Sequence, residues 1–580
     1  MTLPGFVRVA ALSELEKKGV VTVRASRHRV AVFCAGADVW AVDNRCPHMG
    51  FPLDQGTVRD GILTCHWHQA RFDLRSGCTF DLWADDIARF DTRLEGGDVY
   101  VSREPTHPRD AAYHRRRLRL GMEQNVPLVQ AKSLLSLLDA RGELEEIARE
   151  VALYASANLN TWSEGMVRLG CVANLYPALS RETAYQGLLY AIRQIAAETS
   201  GSVPRREREP LDADGHSAET LKSWLRQWVL TRHRDGAERT LLTAVRGGMS
   251  RAELADLAFG GACERLYADG GHLFDAWNKA FELVELLGWE RAPDLFPLLM
   301  PRLVGARGQE ESTDWHHPVE IVEPLRQTER SLAELMREGA GRTWTEPADL
   351  VATLLGDDPL AIIHALGEAL RGGAAPEFLA RRVAYAAALR LARFATSNEV
   401  TDWFNPQHTF IHANAVHQAI RRSPTPDVVR AILQAAIAVY NDRFLNVPPA
   451  KLPGERGGLD ELPEQSKELR AALLEHLDRR AEIETSAALV SRYVTLGHPL
   501  DELLDTLTFA TVREDLDFHS LQVLEAAARQ CREWTGRPEA EHILVGVVRN
   551  LAAHCPTRRA GQQTASIAQR LHRGDRVYEG

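Results

Sequence analysis

Cysteines are few for a chain of this length. The 580 residues include eight, and six of these are scattered without the regular spacing of a disulfide framework. This distribution predicts a reducing, cytoplasmic environment. The first residues lack a basic start followed by an apolar core, so no secretory signal peptide is predicted. No apolar run reaches the roughly 20 residues that a membrane-spanning helix needs, so no membrane association is expected.

Long runs of charge of one sign are also missing. The chain has 69 Lys and Arg against 79 Asp and Glu, which gives a formal net charge of −10. The one basic cluster, residues 114–119 (HRRRLR), is short and predicts a solvated linker or a dock for an acidic partner. Nucleic-acid binding is therefore not expected. The length exceeds that of one compact core and predicts two or more domains.

The most informative stretch is residues 46–68, CPHMGFPLDQGTVRDGILTCHWH. Cys46 and His48 form one ligand pair, and Cys65 and His68 form a second. Two Cys and two His are the ligands of a Rieske [2Fe-2S] centre, in which thiolates hold one iron and imidazoles hold the other. A zinc site is the alternative for the same four residues. Zinc ligand pairs usually have two residues between them, whereas one residue separates Cys46 from His48.

This stretch resembles the soluble Rieske ferredoxins and the Rieske domains of ring-hydroxylating oxygenases, over about residues 4–103. The resemblance implies a [2Fe-2S] cluster and an electron donor such as a flavin reductase or a ferredoxin. We call the segments around Cys46-His48 and Cys65-His68 the two ligand boxes. Respiratory Rieske proteins carry a further Cys in each ligand box, and these two cysteines form a disulfide beside the cluster. Because Phe51 and His66 occupy those places here, the resemblance implies the ferredoxin or oxygenase subclass, at the low end of the Rieske potential range.

Residues 1–104 are predicted to form a small all-β sandwich that carries the cluster. Short β-branched runs such as Val20–Val23 are separated by polar turns. Asp60-Gly61 predicts a hairpin turn between the two ligand boxes, and Gly96-Gly97 predicts a closing hairpin. The ligand boxes are then expected at the tips of two neighbouring loops. Residues 105–128, which contain two prolines and the basic cluster, are predicted to be a linker.

Residues 129–580 are predicted to form a large all-α domain, because Ala, Leu, Glu and Arg dominate at helical spacing. Three segments, starting near residues 244, 369 and 493, resemble one another. Each ends a helix, turns at Gly and opens the next helix with a capping residue and an acid. They predict repeated helical hairpins packed into one domain. This region does not resemble the mixed α/β catalytic domain of ring-hydroxylating oxygenases.

Each repeat places His near the start of its following helix: His272 after the first, His408 and His412 after the second, and His519 after the third. Equivalent positions in packed repeats tend to face one axis. We therefore predict that His272, either His408 or His412, and His519 converge and could bind a metal, such as a mononuclear non-haem iron. The alternative is that each His caps its helix or makes hydrogen bonds within the core.

The helix that begins at His272 also carries a polar stripe. Asp275, Lys279 and Glu282 follow His272 at helical spacing, opposite apolar side chains. If this stripe is buried, it needs partners or a ligand, since unpaired buried polar groups are costly. Asp275 and Glu282 are therefore candidates for a carboxylate ligand or a proton relay. The alternative is a solvated helix face.

Two functions remain open from the sequence. In the first, the protein is an oxygenase-like oxidoreductase. Electrons pass from the Rieske cluster to a metal in the helical domain, where O2 and a small organic substrate react. In the second, the helical domain is a scaffold that binds a partner, and the Rieske domain is a ferredoxin-like electron carrier or a redox sensor. Metal content beyond the cluster distinguishes the two.

Overall fold

The chain begins with a small antiparallel β structure and continues as a large helical region. This confirms the predicted order of a Rieske-type β domain followed by an α domain. The computed structural model describes residues 3–36, 38–107, 109–139, 144–212, 215–575 and 577. Two compact units are formed, the first by residues 1–143, 192–200 and 560–580 and the second by residues 144–191 and 201–559.

The β structure belongs to the first unit. Its strands are β1 (Phe6–Ala11), β2 (Val20–Ala25), β3 (His28–Ala35), β4 (Asp38–Asp43), β5 (Thr57–Arg59), β6 (Ile62–Thr64), β7 (Arg71–Asp73), β8 (Arg89–Phe90), β9 (Thr92–Glu95) and β10 (Asp98–Ser102). They form three antiparallel sheets in the orders β1-β10-β9, β2-β3-β4-β8 and β5-β6-β7.

Both predicted hairpins are present. Asp60 and Gly61 connect β5 to β6 with φ of 53° and 78°, the left-handed pair that a two-residue hairpin turn requires. Gly96 and Gly97 connect β9 to β10. The small β5-β6-β7 sheet rests on a core that includes Leu63 and Phe72, and this core continues up to the two cysteines of the ligand boxes. The loops that carry the two ligand boxes are therefore anchored in the hydrophobic core through their cysteines.

The helices with bounds in the described residues are α1 (Leu12–Lys18), α2 (Ala111–Glu123), α3 (Pro127–Asp139), α4 (Leu144–Asn158), α5 (Glu164–Leu175), α6 (Arg181–Thr199), α7 (Ala218–Thr231), α8 (Arg234–Arg246), α9 (Arg251–Ala262), α10 (His272–Leu287), α11 (Ala292–Leu295), α12 (Met300–Gly305), α13 (Val322–Gly339), α14 (Leu350–Leu354), α15 (Pro359–Gly372), α16 (Pro376–Ala392), α17 (Phe404–Arg422), α18 (Pro426–Asn441), α19 (Pro453–Arg456), α20 (Ser466–Leu477), α21 (Ile483–Thr495), α22 (Leu500–Val512), α23 (Phe518–Glu533), α24 (Pro538–His554) and α25 (Ala560–Arg573). None of them combines the length and apolar character needed to cross a membrane.

The segment 105–128, which was predicted to be a linker, contains α2. Asp110 caps this helix by accepting a hydrogen bond from the Tyr113 N–H. The basic residues of the helix are not all solvated. Arg117 is buried and its Nε lies 2.9 Å from the Asp85 carboxylate. The basic cluster therefore contributes to the packing of the first unit.

Helices from distant parts of the chain complete this first unit. α3 packs against α2 and also against α25. Beyond α25, the backbone carbonyl of Asp575 accepts a hydrogen bond of 2.8 Å from Arg45. A Cβ atom at Gly50 would lie 3.3 Å from the Leu571 side chain, so the first ligand box packs directly against α25. The predicted domain boundary at residue 128 does not separate these helices from the β structure.

Each predicted repeat forms a helix, a turn and a second helix: α8 and α9, α15 and α16, and α21 and α22. In the first, Ser250 and Glu253 make the reciprocal hydrogen bonds of a capping box at the start of α9. Gly373, in the left-handed region at φ 100°, ends α15 in the second. The helices that follow these hairpins are α10, α17 and α23; α10 and α23 carry His272 and His519, and α17 carries both His408 and His412.

Candidate metal centres

The two loops that carry the ligand boxes share the same backbone hydrogen bond and the same left-handed turn residue. In the first, the Gly50 N–H donates to the Cys46 carbonyl at 2.8 Å. In the second, the Gln69 N–H donates to the Cys65 carbonyl at 3.0 Å. Gly50 and Gln69 have φ of 83° and 64°, so each loop reverses through a left-handed residue four positions after its cysteine. Gly50 meets this demand without strain.

These two loops bring the four predicted ligands together in pairs. Cys46 and Cys65 are 2% and 1% exposed and lie at the base of the loops. The rings of His48 and His68 meet edge-on, with centroids 4.8 Å apart. His48 is partly buried against Trp83, at 4.6 Å between ring centroids, while His68 is exposed. A buried pair of cysteines and a more exposed pair of imidazoles are the donor set of a Rieske centre.

The pKa shifts of Cys65 and His48 favour the forms that bind a cluster, whereas Cys46 would have to release its proton on binding. A hydrogen bond between the two thiols, together with burial, raises the pKa of Cys46, and the same hydrogen bond lowers the pKa of Cys65 to about 6. Burial lowers the pKa of His48 to about 4, and the neighbouring His68 and Lys132 add to this effect. His48 Nδ1 is buried and makes no hydrogen bond to a described residue. These residues fit a [2Fe-2S] cluster, which requires thiolates and neutral imidazoles as ligands.

Comparison with known proteins agrees with this geometry. Residues 5–85 match the model of the Rieske [2Fe-2S] domain. The ferredoxin component of the p-cumate 2,3-dioxygenase system of Pseudomonas putida is 28% identical over 102 residues, which are 17% of this chain and 86% of that protein. The ferredoxin subunit of 3-phenylpropionate/cinnamic acid dioxygenase of Escherichia coli K12 is 28% identical over 81 residues, 14% of this chain and 76% of that protein.

A human protein and a solved structure are similar over a comparable length. Human apoptosis-inducing factor 3 is 29% identical over 94 residues, which are 16% of each chain. The ferredoxin of carbazole 1,9a-dioxygenase from Nocardioides aromaticivorans IC177 is 28% identical, with a TM-score of 0.16, and covers 17% of this chain and 96% of its own. The N-terminal part of the protein is therefore a Rieske domain for iron–sulfur electron transfer, and it is similar to the ferredoxin components of ring-hydroxylating dioxygenases. The helical region is unmatched.

A second group of possible metal ligands lies in the helical unit. His272 begins α10, His408 lies in the first turns of α17, and His519 lies in the first turn of α23. Their potential ligand atoms all lie within 4.8 Å of one another. Ring centroids are 4.6 Å apart for His272 and His408, 5.1 Å for His272 and His519, and 4.2 Å for His408 and His519. We call these three residues the histidine triad.

The contacts around the histidine triad hold its rings in place. The Asp269 carbonyl lies 2.8 Å from His272 Nδ1 and accepts a hydrogen bond when that nitrogen carries the proton. An Asp517 carboxylate oxygen lies 3.4 Å from His519 Nδ1. The Nε2 atoms of His272 and His519 lie 2.9 Å apart, within hydrogen-bonding distance of each other. An ordered partner on Nδ1, as His272 has, is typical of histidine metal ligands.

His408 supplies the third donor of the triad. Its Nε2 is buried and makes no hydrogen bond to a described residue. Burial lowers the pKa of His408 to about 2, and the imidazoles of His519 and His272 lower it further by opposing a positive charge. The pKa of His272 is also lowered, mainly by burial. Neutral imidazole is the form that binds metals.

His412 does not join the histidine triad, although it lies one turn after His408 on α17. Its Nδ1 is 3.3 Å from the Gly271 carbonyl, and its ring meets that of Tyr267 edge-on at 4.8 Å between centroids. A Cβ atom at Gly271 would lie 3.0 Å from His412. His412 therefore packs beneath the turn that positions His272. Gly271, at φ 90°, provides the close approach.

The two predicted carboxylates differ in environment. Asp275 is one turn beyond His272 and is buried, and its Oδ1 makes no hydrogen bond to a described residue. Burial raises the pKa of Asp275 well above its ordinary value, which favours the protonated form of this carboxyl. It is not among the clustered ligand atoms. It remains a candidate for a proton relay next to the triad.

Glu282 cannot act as a ligand of this group. It lies ten residues beyond His272 on α10, which is about 15 Å along the helix axis. Its carboxylate instead accepts hydrogen bonds from Lys279 at 2.8 Å, Asn174 at 2.7 Å and Asn278 at 3.0 Å. The polar stripe on α10 is buried, which was one of the two possibilities left open by the sequence. At its C-terminal end, Lys279 and Glu282 form part of an ion network and do not join the possible metal ligands.

The sequence analysis missed the groups that orient these ligands. Asp517 caps α23 by accepting backbone hydrogen bonds from His519 and Ser520, and its second oxygen faces the His519 ring. An Asp two residues before a His at a helix start is a detectable signal of this arrangement. The Asp269 carbonyl carries no such signal, because any residue could provide it. Lys132, which contacts the first ligand box, was also missed.

Proposed function

We propose that the protein is a Rieske oxidoreductase that delivers electrons from its [2Fe-2S] cluster to a metal ion held by His272, His408 and His519. The convergence of three imidazoles from three helices carries the proposal. The closeness of their ligand atoms, all within 4.8 Å of one another, and the Asp269 carbonyl that orients His272 support it. The proposed reaction is oxygenase-like, with O2 and a small organic molecule as substrates.

Each residue has a defined part in this proposal. His272, His408 and His519 bind the metal, which supplies redox and Lewis-acid chemistry when bound. The Asp269 carbonyl and the Asp517 carboxylate hold the rings of His272 and His519 in the binding orientation. Three histidines leave further coordination positions open for substrates. A mononuclear non-haem iron is the metal we propose, since imidazole suits iron and an electron-transfer partner requires a redox-active acceptor.

The protonated carboxyl of Asp275 is the proposed proton donor. Reductive chemistry at a metal consumes protons together with electrons. Asp275 is buried on the same helix as His272, and burial raises its pKa and so favours its protonated form. The electrons are proposed to come from a flavin reductase or a ferredoxin in a reducing cytoplasm. The exposed ring of His68 gives such a donor access to the cluster.

Metal stoichiometry tests this proposal. Protein loaded anaerobically with Fe(II) should contain three irons per chain, two in the cluster and one at the triad. His408→Ala should retain the cluster EPR signal and lose the third iron, because this side chain is one of the three proposed metal ligands and not one of the cluster ligands. His498→Ala is the matched control, since His498 lies outside the triad, is only partly buried, and hydrogen-bonds the Glu464 backbone carbonyl.

Two outcomes would contradict the proposal. One is a His408→Ala protein that keeps its third iron with unchanged affinity. The other is a wild-type protein that binds no iron beyond the cluster while its EPR spectrum accounts for two irons per chain. His408→Gln, which preserves more of the side-chain volume, replaces the alanine variant if circular dichroism reports a loss of helix.

The second candidate function is a ferredoxin-like carrier with a helical scaffold. The similarity to ferredoxin components, which the chain covers to 86% and 76% of their length, favours it. In that case His272, His408 and His519 are packing residues that share protons. Two irons per chain, together with unchanged electron transfer to an acceptor protein in His408→Ala, would favour the carrier.

A further inference from the structure

One lysine outside the matched Rieske residues reaches the first ligand box. Lys132 lies on α3, and its side chain is 14% exposed. Its Nζ donates a hydrogen bond of 2.7 Å to the Pro47 carbonyl. Pro47 stands between Cys46 and His48, so this ammonium group contacts the backbone that joins a thiolate ligand to an imidazole ligand. The matched Rieske residues end at 85, well before α3.

We propose that Lys132 is a positioning residue for the Rieske cluster: it holds the first ligand loop in place, and its charge makes reduction of the cluster more favourable. Reduction adds one negative charge to the cluster. A cation held nearby in partly buried surroundings stabilises the reduced form more than the oxidised form, because charge interactions are stronger where water is excluded. The hydrogen bond to Pro47 fixes the distance over which this charge acts.

The charges around Lys132 leave a net positive group beside the loop. The Asp85 carboxylate, which is 8% exposed, contacts both Lys132 Nζ and Arg117 Nε. Lys132 and Arg117 outweigh the effect of burial and lower the pKa of Asp85 to about 2, so it stays ionised. Two cations and one carboxylate therefore face one another. Arg109 also adds positive charge towards Asp85.

The place of this contact explains the expected effect. The Pro47 carbonyl that Lys132 binds lies between the ligands Cys46 and His48. A positive charge held beside these ligands favours an added electron, so Lys132 should raise the cluster potential.

Two substitutions with opposite expected effects test the proposal. Lys132→Met removes the cation and should make the reduction equilibrium about tenfold less favourable, a fall of about 59 mV for one electron. Asp85→Asn removes the opposing anion and should shift the equilibrium the other way by a similar factor. Lys132→Arg keeps the charge and should stay within about threefold of wild type. Redox titration followed by EPR measures all three midpoint potentials.

The opposite signs separate an electrostatic role from a purely structural one. If Lys132 and Asp85 only pack the loop, both substitutions disturb it and shift the potential in the same direction, which would overturn the proposal. An unchanged potential in Lys132→Met with a full cluster signal would also overturn it. If Lys132→Met loses its cluster, Lys132→Gln replaces it, and a raised potential in Asp85→Asn is still required.

Discussion

Lys279→Met is expected to destabilise the helical region, because Lys279 belongs to the ion network at the C-terminal end of α10. The side chain of Lys279 is 1% exposed, and its Nζ contacts the carboxylates of Glu282 and Glu525, which are 3% and 1% exposed. Methionine has similar volume and no charge. It would leave the two buried carboxylates with Arg529 as their nearest cation. Removing one partner of a buried ion pair costs about 3–5 kcal/mol.

The pKa of Glu282 gives a similar magnitude. Burial alone would raise it, but Lys279, Arg529 and Arg422 outweigh burial and lower the pKa from 4.5 to about 2. At about 1.36 kcal/mol per unit, this shift corresponds to about 3 kcal/mol of stability. Because the folded-state pKa is depressed, this contribution is present above pH 4.5 and is lost as the pH falls towards 2. We therefore expect a loss of about 3–5 kcal/mol for Lys279→Met at pH 7.

The measurement is urea unfolding of the helical region, followed by far-UV circular dichroism at pH 7 and pH 4. In the variant, Glu282 and Glu525 relieve their repulsion by binding a proton, so the difference from wild type should shrink at pH 4. Arg330→Met is the control, because Arg330 and its partner Glu323 are 64% and 71% exposed and should change stability by less than about 1 kcal/mol. A loss below 1 kcal/mol for Lys279→Met, or one equal at both pH values, would refute the reasoning.

Two further predictions concern the Rieske domain. Gly77→Ala should lower stability by about 1–3 kcal/mol and reduce cluster retention, since φ at this position is +79° and a Cβ would lie 2.5 Å from the Ile87 carbonyl. Gly96→Ala, also at positive φ but with no atom near the added Cβ, should lose less and keep its cluster, as measured by visible absorbance and thermal unfolding. Cys65→Ser should lose the Rieske EPR signal while the helical content stays unchanged; a retained signal would contradict the ligand assignment.

The local features of the fold were predictable because their causes are local. Cys46 and His48 are only two positions apart, so a single loop holds both. The Asp60-Gly61 turn follows from the preference of these residues for left-handed backbone conformations. The helical hairpins follow from caps and periodicity. The prediction that the histidines converge required a further assumption, that equivalent positions in packed repeats face one axis. The structure brings these three rings together, and metal binding by them stays a prediction.

The features that could not be predicted depend on partners far away in sequence. Arg117 was expected in a solvated linker because its partner Asp85 lies in a different segment. Glu282 was a candidate ligand because the sequence does not reveal that Glu525, on another helix, shares Lys279 with it. α10 is buried on both faces, so its polar stripe could not be assigned to water or to a site from periodicity alone. His412 was misjudged because the turn at Gly271 occupies the space beside it.

The packing of α25 against the first ligand box has a consequence for biosynthesis. Leu571 contacts Gly50, and the Asp575 carbonyl binds Arg45, although more than 500 residues of sequence separate each pair. A ribosome completes residues 560–575 long after the two ligand boxes have emerged. Throughout that interval, the loop that carries Cys46 lacks its covering helix. In a nascent chain this loop is therefore accessible to the iron–sulfur assembly machinery. Once α25 has been synthesised, it packs against the loop and covers this side of it.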